Sequence, residues 1–335
     1  ELVDWANANI HILNHGLHYA SCVFEGERVY DGKIFKLEEH TSRLFYSAKR
    51  MGITMPYSEQ EINQACNKII SVQNVENGYV RPTVWRGSEM MAISAQQTKI
   101  HVAVATWEWG SYFDPKLKVE GIKLNISNWR RPAPNTIPWD TKASGLYMIC
   151  TLSKHEAEQK GYTDSLMLDH EGNVAEATGA NIFFKDKNGE LHTPIPDSFL
   201  DGITRRTVIE IAKSKNIKVN ERKIKPEELK IPSSVSLLIA SKNANRDAQE
   251  VTIENGNQTP ATTAQDKDMR LIIIACFRED YFEESMLNNF YNDLAEIDFY
   301  KTKGWVRIYL KDFPGYRIYE AIEVFPDAWR ANYGE

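Results

Sequence analysis

Strand-like and helix-like segments alternate along the chain as far as about residue 240, and this alternation most limits the possible folds. Apolar residues at helical spacing predict a helix over Leu37–Met51. Ser58, with Glu61 three residues later, predicts a second helix that begins with a capping box. Further helices are predicted at Lys142–Lys160 and Gly202–Lys213, and strands at Tyr79–Trp85, Lys99–Thr106, Lys123–Ser127, Ser165–Asp169 and Val235–Ala240. The pattern predicts mixed α/β (α+β) layers in two units.

The chain changes character after about residue 249. Residues 251–265 are polar and rich in Thr, Asn and Gln, which predicts a loop, and Asp266–Ala295 is predicted as a long helix. Aromatic residues from Trp305 onward favour strands or a small packed unit. Residues 251–335 match no pattern that we recognise.

Composition excludes several classes of function. The net charge is -6 and no long block of Lys and Arg occurs, so neither nucleic acid nor a membrane surface is expected as a partner. The most apolar run, Leu271–Phe277, is too short to span a bilayer. The four cysteines are scattered, which is typical of a reduced, cytoplasmic protein. His15 and His18 are interpreted as structural, and no metal site is predicted.

Lys142 is the residue whose surroundings most suggest chemistry. It follows a proline-rich loop and precedes the small residues Ala143, Ser144 and Gly145, which would let a planar group approach the backbone. A lysine that is buried there could serve as a Schiff-base lysine. Taken alone, however, these neighbours favour a solvated surface lysine over a Schiff-base lysine.

Seven motifs that occur in order over about residues 10–230 decide it by resemblance. They are His15–Tyr19 with Val23–Gly26, Glu39–Leu44 with Ser47–Lys49, Tyr79–Pro82, Trp109–Tyr112, Arg131–Pro138 with Lys142–Tyr147, Glu176–Asn181 and Leu200–Arg205. In these motifs the chain resembles the branched-chain amino-acid aminotransferases. The resemblance implies the fold type IV architecture of pyridoxal-phosphate enzymes. It implies a smaller N-terminal α/β domain (1–112), an interdomain loop (113–122) and a larger C-terminal domain (123–335), with the cofactor between the domains.

The resemblance also assigns the residues that hold pyridoxal 5'-phosphate. Lys142 matches the Schiff-base lysine, Glu176 the carboxylate that faces the pyridine nitrogen, and Tyr147 the partner of the ring oxygen. Arg43 matches the phosphate-binding arginine, and Leu200, Ile203 and Thr204 belong to the motif whose backbone amides and Thr hydroxyl bind phosphate. Without the resemblance, Glu176 could be a solvated turn residue and Arg43 an exposed residue of an amphipathic helix.

On the substrate side, the resemblance places aromatic walls and one arginine. Phe24, Tyr79 and Tyr112 match pocket residues, and Tyr19 matches one that the neighbouring subunit donates, which implies a homodimer or larger homo-oligomer. Arg81 matches the arginine that receives the distal carboxylate of glutamate. The implied reaction moves the amino group of Leu, Ile or Val to 2-oxoglutarate, so the partners are small amino acids and 2-oxo acids.

One motif departs from the family pattern. The Gly-Thr turn expected after the strand Val235–Ala240 is replaced by the sequence Ile239–Asn243, where Ser241 could supply the missing hydroxyl. Two alternatives therefore stay open. The chain could be a fold type IV relative with another substrate, such as a D-amino-acid or R-amine transaminase or an aminodeoxychorismate lyase. It could also be a catalytically inactive homologue that acts as a binding module.

Overall fold

The computed structural model describes residues 1–110, 122–186 and 188–229, together with the backbone of the short strands at 238–241, 251–253, 269–270, 299–300 and 305–306. The chain divides into two compact units, Glu1–Cys276 and Phe277–Glu335. In the second unit the structure describes one antiparallel strand pair, in which Tyr300 lies opposite Trp305.

The described elements follow the predicted alternation. The α-helices are α1 (His15–Tyr19), α2 (Leu37–Arg50), α3 (Glu59–Val72), α4 (Met148–Gln159) and α5 (Ile203–Ser214). Short 3-10 helices cover Trp5–Asn7, Ser144–Tyr147 and Pro226–Leu229. The strands of the N-terminal sheet are β1 (Cys22–Phe24), β2 (Glu27–Tyr30), β3 (Lys33–Ile34), β4 (Gly78–Arg86) and β5 (Ile100–Glu108). The later strands are β6 (Ile122–Arg130), β7 (Asp164–Leu168), β8 (Val174–Ala177), β9 (Ala180–Asp186), β10 (Leu191–Thr193), β11 (Val219–Glu221), β12 (Leu238–Ser241), β13 (Val251–Ile253), β14 (Met269–Arg270), β15 (Phe299–Tyr300) and β16 (Trp305–Val306).

The N-terminal sheet is antiparallel and is built around β4. Strands β1 and β2 pair in succession with one edge of β4, and β5 pairs along the other edge. The path from β1 to β2 breaks at Glu25 and Gly26, where Glu25 N donates to the carbonyl of Pro82 at 2.8 Å. Pro82 has no N–H to contribute to a ladder, so the break falls where the sheet has a donor missing.

Helices α2 and α3 cover this sheet and form the first hydrophobic core. Leu44 and Ala48 of α2 and Ile62, Cys66 and Ile70 of α3 are buried at helical spacing. Each large apolar side chain buried in this way stabilises the fold by roughly 1.5–3 kcal/mol. The capping box predicted at the start of α3 is present, because the Ser58 and Glu61 side chains each bond the other residue's backbone.

The next sheet has the order β13-β6-β7-β8. Strands β6 and β7 are parallel, so the chain between them must cross over, and α4 lies in that crossover. The crossover also contains the proline-rich loop, Lys142 and the 3-10 helix Ser144–Tyr147. A parallel strand pair therefore fixes both ends of the segment that carries the candidate lysine.

The last described sheet of the first unit has the order β11-β10-β9-β12, with β14 also paired to β9. Helix α5 begins after Gly202, which has an extended backbone and no side-chain cap. Gly202 N instead donates to Asn181 Oδ1 at 3.1 Å. A Cβ atom on Gly202 would lie 2.2 Å from Asn181 Oδ1, so no larger residue fits there without movement.

The structure confirms both predicted N-terminal helices and each strand predicted before residue 180. Two predictions beyond residue 250 were wrong where the chain is described. Val251–Ile253 forms a strand parallel to β6 instead of a loop, and Met269–Arg270 pairs with β9 instead of starting a helix. In both places pairing with a distant strand decides the local structure, which composition and periodicity do not reveal. Residues 113–121 of the predicted interdomain loop lie outside the described residues.

Within the described part of the chain, no helix combines the length and the apolar character that crossing a membrane requires.

Candidate active site

Lys142 is buried, with no exposed surface, in the crossover between β6 and β7. Its Nζ donates to Tyr147 Oη at 2.9 Å and lies 5.0 Å from the centre of the Phe24 ring. Its backbone is fixed on both sides: Ser47 Oγ accepts from Lys142 N, and Phe24 N donates to Lys142 O. The alternative of a solvated surface lysine is therefore excluded.

Tyr147 ends the 3-10 helix that follows Lys142, which brings its hydroxyl back to the lysine. Burial raises the pKa of the Tyr147 phenol, and the Glu176 carboxylate raises it further, while Arg43 and Arg131 lower it. The phenol is therefore protonated throughout the physiological pH range. These influences also show that Glu176, Arg43 and Arg131 share one electrostatic environment with Tyr147.

Glu176 is fully buried on β8 and is not the solvated turn residue of the alternative interpretation. Arg131 Nε lies 3.4 Å from Glu176 Oε1, and Asn181 Nδ2 donates to Glu176 Oε2 at 3.3 Å. Arg131 is itself buried and donates from Nη1 to the carbonyl of Leu146 at 3.2 Å. A buried carboxylate with these two neighbours can also face a positively charged ring nitrogen.

The predicted phosphate motif forms the start of α5. Leu200, Ile203 and Thr204 are all buried, and Asn181 Nδ2 donates to the Leu200 carbonyl at 3.0 Å. No described residue hydrogen-bonds Thr204 Oγ1, although this atom is buried. The first amides of a helix have no partner within the helix, so together with this hydroxyl they suit an anion.

Arg43 lies on the buried face of α2 and not on its exposed face. Its Nε donates to Glu25 Oε1 at 2.7 Å and its Nη2 to Glu25 Oε2 at 2.8 Å. His40 Nδ1 also donates to Glu25 Oε2, at 2.7 Å. The third Arg43 nitrogen, Nη1, is buried, and among the described residues it has no hydrogen-bond partner. Burial lowers the pKa of Arg43, but the Glu25 carboxylate opposes this effect and the net pKa is raised. Asp201, next to the phosphate motif, also raises the pKa of Arg43.

These unpartnered atoms fit a phosphorylated ring cofactor. Arg43 Nη1 and Thr204 Oγ1 are two buried donors that need an acceptor, and a phosphate group supplies one. Glu176 supplies a carboxylate for a ring nitrogen, Tyr147 a phenol for a ring oxygen, and Lys142 an amine for an aldehyde. The donor set therefore matches pyridoxal 5'-phosphate at both ends of the molecule.

The predicted substrate residues Phe24, Tyr79 and Arg81 lie together beside this set. The Arg81 guanidinium is 4.5 Å from the centre of the Phe24 ring, and its Nη2 donates to Tyr79 Oη at 3.3 Å. The Phe24 ring centre lies 4.9 Å from that of Tyr147. Burial raises the pKa of Tyr79 to about 12, although Arg81 lowers it, so the Tyr79 hydroxyl stays protonated. An aromatic surface and a guanidinium thus meet next to Lys142.

Three predicted site residues are not brought to this cluster by the described contacts. The Tyr19 ring stacks on His15 with centres 4.5 Å apart, and Tyr19 is 45 % exposed. Tyr112 lies outside the described residues. Ser241 is described only by its backbone, which pairs with Ala180 at the end of β12. The roles expected for these three residues remain predictions.

Sequence reasoning missed several residues that organise the site. Glu25, His40, Arg131 and Asn181 all occur within the recognised motifs, but no role was predicted for their side chains. Trp109 was missed as well, and its ring packs against Tyr79 with centres 4.9 Å apart. Membership of the motifs was the available signal, but each partner lies on another element, which spacing along the chain does not reveal.

One cluster away from this site has residue types that bind metals. Oxygen or nitrogen atoms of Asp186, Glu190 and His192 lie within 4.8 Å of one another. Arg222 Nε donates to His192 Nδ1 at 3.0 Å, and His192 Nε2 lies 3.3 Å from Asp186 Oδ2. Lys218 bonds both oxygens of Glu190. Each of the three side chains thus has an ion-pair or hydrogen-bond partner in the protein, and we assign no metal to the cluster.

Comparison with known proteins agrees with this geometry. The model of the family "Amino-transferase class IV" matches residues 22–246. A probable branched-chain-amino-acid aminotransferase of Rickettsia conorii is 44% identical over 230 residues, which cover 68% of this chain and 77% of the relative. The branched-chain-amino-acid aminotransferase of Pseudomonas aeruginosa is 41% identical over 235 residues, covering 69% of this chain and 76% of the relative.

A solved structure gives the same result at the level of the fold. The crystal structure of the Escherichia coli branched-chain amino acid aminotransferase superposes with a TM-score of 0.72 at 34% identity. The match covers 76% of this chain and 84% of that chain. The fold type IV architecture predicted from the motifs is thus confirmed. This chain belongs to the class IV aminotransferases, in the family of the branched-chain amino-acid aminotransferases.

Proposed function

We propose that this chain transfers the amino group of a branched-chain L-amino acid (Leu, Ile or Val) to 2-oxoglutarate, with pyridoxal 5'-phosphate as its cofactor. The observation that carries the proposal is the buried Lys142 amine, bonded to Tyr147 in the same environment as Glu176 and Arg43. Relatives at 41% and 44% identity carry the name of this activity. The burial of Lys142, Glu176 and Arg43 argues against an inactive homologue.

The cofactor is held at three places. Arg43 Nη1, Thr204 Oγ1 and the first amides of α5, including those of Ile203 and Thr204, bind the phosphate. Glu176 binds the ring nitrogen and keeps it protonated, and Tyr147 bonds the ring oxygen. Leu200 belongs to the same phosphate-binding motif. Ser241 supplies the hydroxyl that the Thr of the family's Gly-Thr turn would otherwise supply. When bound, pyridoxal phosphate supplies an electron-withdrawing ring that stabilises negative charge on the substrate Cα.

Lys142 has two tasks in this scheme. Its Nζ would hold the cofactor through the aldehyde carbon. As a free amine, Lys142 Nζ would also be the general base that takes the proton from the substrate Cα. The fixed backbone of Lys142, bonded to Ser47 and Phe24, limits the travel of the amine to the side chain. Tyr147 orients the amine from the other side.

The substrate pocket must accept an apolar side chain and an acidic one in turn. Phe24 and Tyr79 provide apolar surface for Leu, Ile or Val, and Tyr112 completes that surface. Arg81, already over the Phe24 ring, binds the distal carboxylate of glutamate or 2-oxoglutarate. The contact between Arg81 and Tyr79 favours this dual pocket over one for amines without a second carboxylate.

We also propose a homodimer or larger homo-oligomer in which Tyr19 reaches the neighbouring subunit's pocket. Tyr19 is 45 % exposed, and exposed apolar side chains surround it in the sequence, including Ile12 and Leu17. Residues 1–112 and 123–335 are proposed as the smaller and larger domains. A cytoplasmic location is proposed as well, and it agrees with the thiol form of the three described cysteines, which form no disulfide with one another.

The decisive experiment is borohydride reduction of the holoprotein followed by peptide mapping. We expect the reduced cofactor on Lys142 alone. In parallel, amino transfer to 2-oxoglutarate is measured with L-leucine and with D-leucine or an R-amine. Transfer only from the D-substrate or the amine would replace the proposed substrate class. Absence of both labelling and transfer would overturn the proposed function as a whole.

A further inference from the structure

Glu25, His40 and Arg43 form one hydrogen-bonded cluster between the N-terminal sheet and α2, which we call the Glu25 cluster. The Glu25 carboxylate accepts hydrogen bonds from Nε and Nη2 of Arg43 at 2.7 and 2.8 Å. It also receives Nδ1 of His40 at 2.7 Å. A carboxylate that accepts both Arg43 nitrogens has only acceptor sites, so His40 carries a hydrogen on Nδ1.

The Glu25 cluster is buried and charged. Glu25 and His40 have no exposed surface, and Arg43 is 7% exposed. Burial alone would raise the pKa of Glu25, but the Arg43 charge and the hydrogen bonds from Arg43 and His40 hold it well below its usual range. Burial lowers the pKa of His40 despite the opposing effect of Glu25. The cluster thus contains one carboxylate, one guanidinium and a neutral imidazole.

The two contacts to Glu25 use one edge of the planar guanidinium. Fixing that edge fixes the plane and therefore the direction of the remaining nitrogen. That nitrogen, Nη1, is buried, and none of the described residues accepts a hydrogen bond from it. Thr41, next to His40, bonds Asn63 instead and takes no part in the cluster. Only the Glu25 side of Arg43 is thus satisfied by the described protein.

We propose that Glu25 and His40 are positioning residues for cofactor binding: Glu25 holds the guanidinium of Arg43, and His40 holds Glu25, so that Nη1 is presented to the cofactor phosphate. This inference rests on the proposed function, in which Arg43 binds that phosphate. Neither Glu25 nor His40 touches the cofactor in this scheme. Their effect is therefore specific to the phosphate and does not extend to the pyridoxal ring.

The test compares the affinities of the apoprotein for pyridoxal 5'-phosphate and for pyridoxal, which lacks the phosphate. His40→Leu removes the Nδ1 donor, and His40→Asn keeps an amide donor in its place. We expect His40→Leu to weaken pyridoxal phosphate binding by about 10-fold or more, as is usual for a lost hydrogen bond to a charged group, and to leave pyridoxal binding unchanged. His40→Asn should recover most of the affinity, and 2-oxoglutarate KM should not change in either variant.

Thr41→Val is the matched control, because it removes a hydrogen bond from the same helix without touching the Glu25 cluster. It should bind both compounds normally. Equal losses of both compounds in His40→Leu would show a merely structural role and overturn the proposal. If His40→Leu does not fold, the same two affinities of Glu25→Gln decide, with the same expected and contrary results.

Arg43→Gln separates this proposal from the proposed function. If this variant keeps the preference for pyridoxal phosphate over pyridoxal, Arg43 does not bind the phosphate and its assigned role is wrong. If Arg43→Gln loses the preference while His40→Leu and Glu25→Gln both keep it, Arg43 retains its role and only the positioning by Glu25 and His40 is overturned.

Discussion

Glu25 and Glu27 lie two residues apart in the same buried stretch, yet only the carboxylate of Glu25 has hydrogen-bond partners among the described residues. Both side chains have no exposed surface, and no described residue hydrogen-bonds either carboxyl oxygen of Glu27. Burial raises the pKa of Glu27 well above its ordinary value, and the neighbouring Glu25 charge raises it further, against the effect of Arg43. Glu27 is therefore neutral in the folded protein, and Glu25 is ionised.

Neutral Glu27 makes stability depend on pH. A carboxyl whose pKa is raised by folding favours the folded state fully below its ordinary pKa of 4.5, and this contribution is lost as pH rises through the folded value. The Glu27→Gln side chain cannot ionise, so its contribution to stability does not fall as the pH rises. We expect urea unfolding at pH 5 and pH 8 to show the variant gaining stability relative to the parent as pH rises.

The His40 titration is common to both proteins and cancels in this comparison. Glu76→Gln, at an exposed glutamate, is the control and should leave the difference between pH 5 and pH 8 unchanged. An unchanged difference in Glu27→Gln would mean that Glu27 is ionised in the fold. Glu27→Leu should stabilise the protein by roughly 1–3 kcal/mol at pH 8, because it removes an unsatisfied buried polar group.

Tyr147→Phe removes the hydrogen bond to Lys142 Nζ and keeps the ring against Phe24. We expect kcat to fall by about 10- to 100-fold, because the amine loses an orienting bond worth about 1.5–3 kcal/mol. The visible spectrum of bound pyridoxal phosphate should shift. Because burial raises the pKa of Tyr147, the parent should show no titration of this phenol below pH 10. A normal spectrum and a normal kcat would show that Tyr147 neither orients the Lys142 amine nor contacts the cofactor.

Arg81→Gln tests the dual pocket. The variant loses the charge that we propose binds a distal carboxylate, while the Phe24 and Tyr79 rings remain. We expect KM for 2-oxoglutarate to rise by roughly 10- to 100-fold, with a much smaller change in KM for L-leucine. Single-turnover reactions with each amino acid measure the two halves separately. Equal effects on both substrates would indicate that Arg81 supports the pocket instead of selecting the acid.

Gly202→Ala places a Cβ atom 2.2 Å from Asn181 Oδ1. Because Asn181 also bonds Glu176 and the Leu200 carbonyl, the clash should spread to both ends of the cofactor site. We expect a destabilisation of about 1–3 kcal/mol in urea unfolding and a weaker affinity for pyridoxal phosphate. Gly110→Ala is the control, since no atom of the described residues lies within 4 Å of a Cβ there. Wild-type stability and affinity in Gly202→Ala would show that the Asn181 contact is not needed.

The sequence predicted what is local and missed what is paired across the fold. Helix α2 and the capping box of α3 follow from spacing within one segment, and both were found. The 18-residue separation of Glu25 and Arg43 gives no such signal, because the two meet only when α2 packs on the sheet. The same holds for Arg131 and Glu176. Arg131 directly follows β6 and Glu176 lies on β8, and β7 separates these two strands in the sheet.

Burial was the property that sequence reasoning could not settle. Lys142, Glu176 and Arg43 each had a plausible interpretation as solvated residues, and motif resemblance alone favoured the other one. In the structure all three are buried, since α2, the crossover and β8 each present one of them inward. Beyond residue 250, the wrong loop and helix predictions have a related cause, because strand pairing with β6 and β9 overrode local preference.

The connection between β6 and β7 must do two things at once. It has to return the chain to the start of a parallel neighbour, and it has to deliver an amine to a fixed point on the way. Insertions or deletions between β6 and Lys142 would displace the amine from its partners Tyr147 and Phe24. Changes of length should therefore be tolerated at the surface hairpins and not in this segment. The same stretch of chain connects the two parallel strands and places the amine, so neither can change without the other.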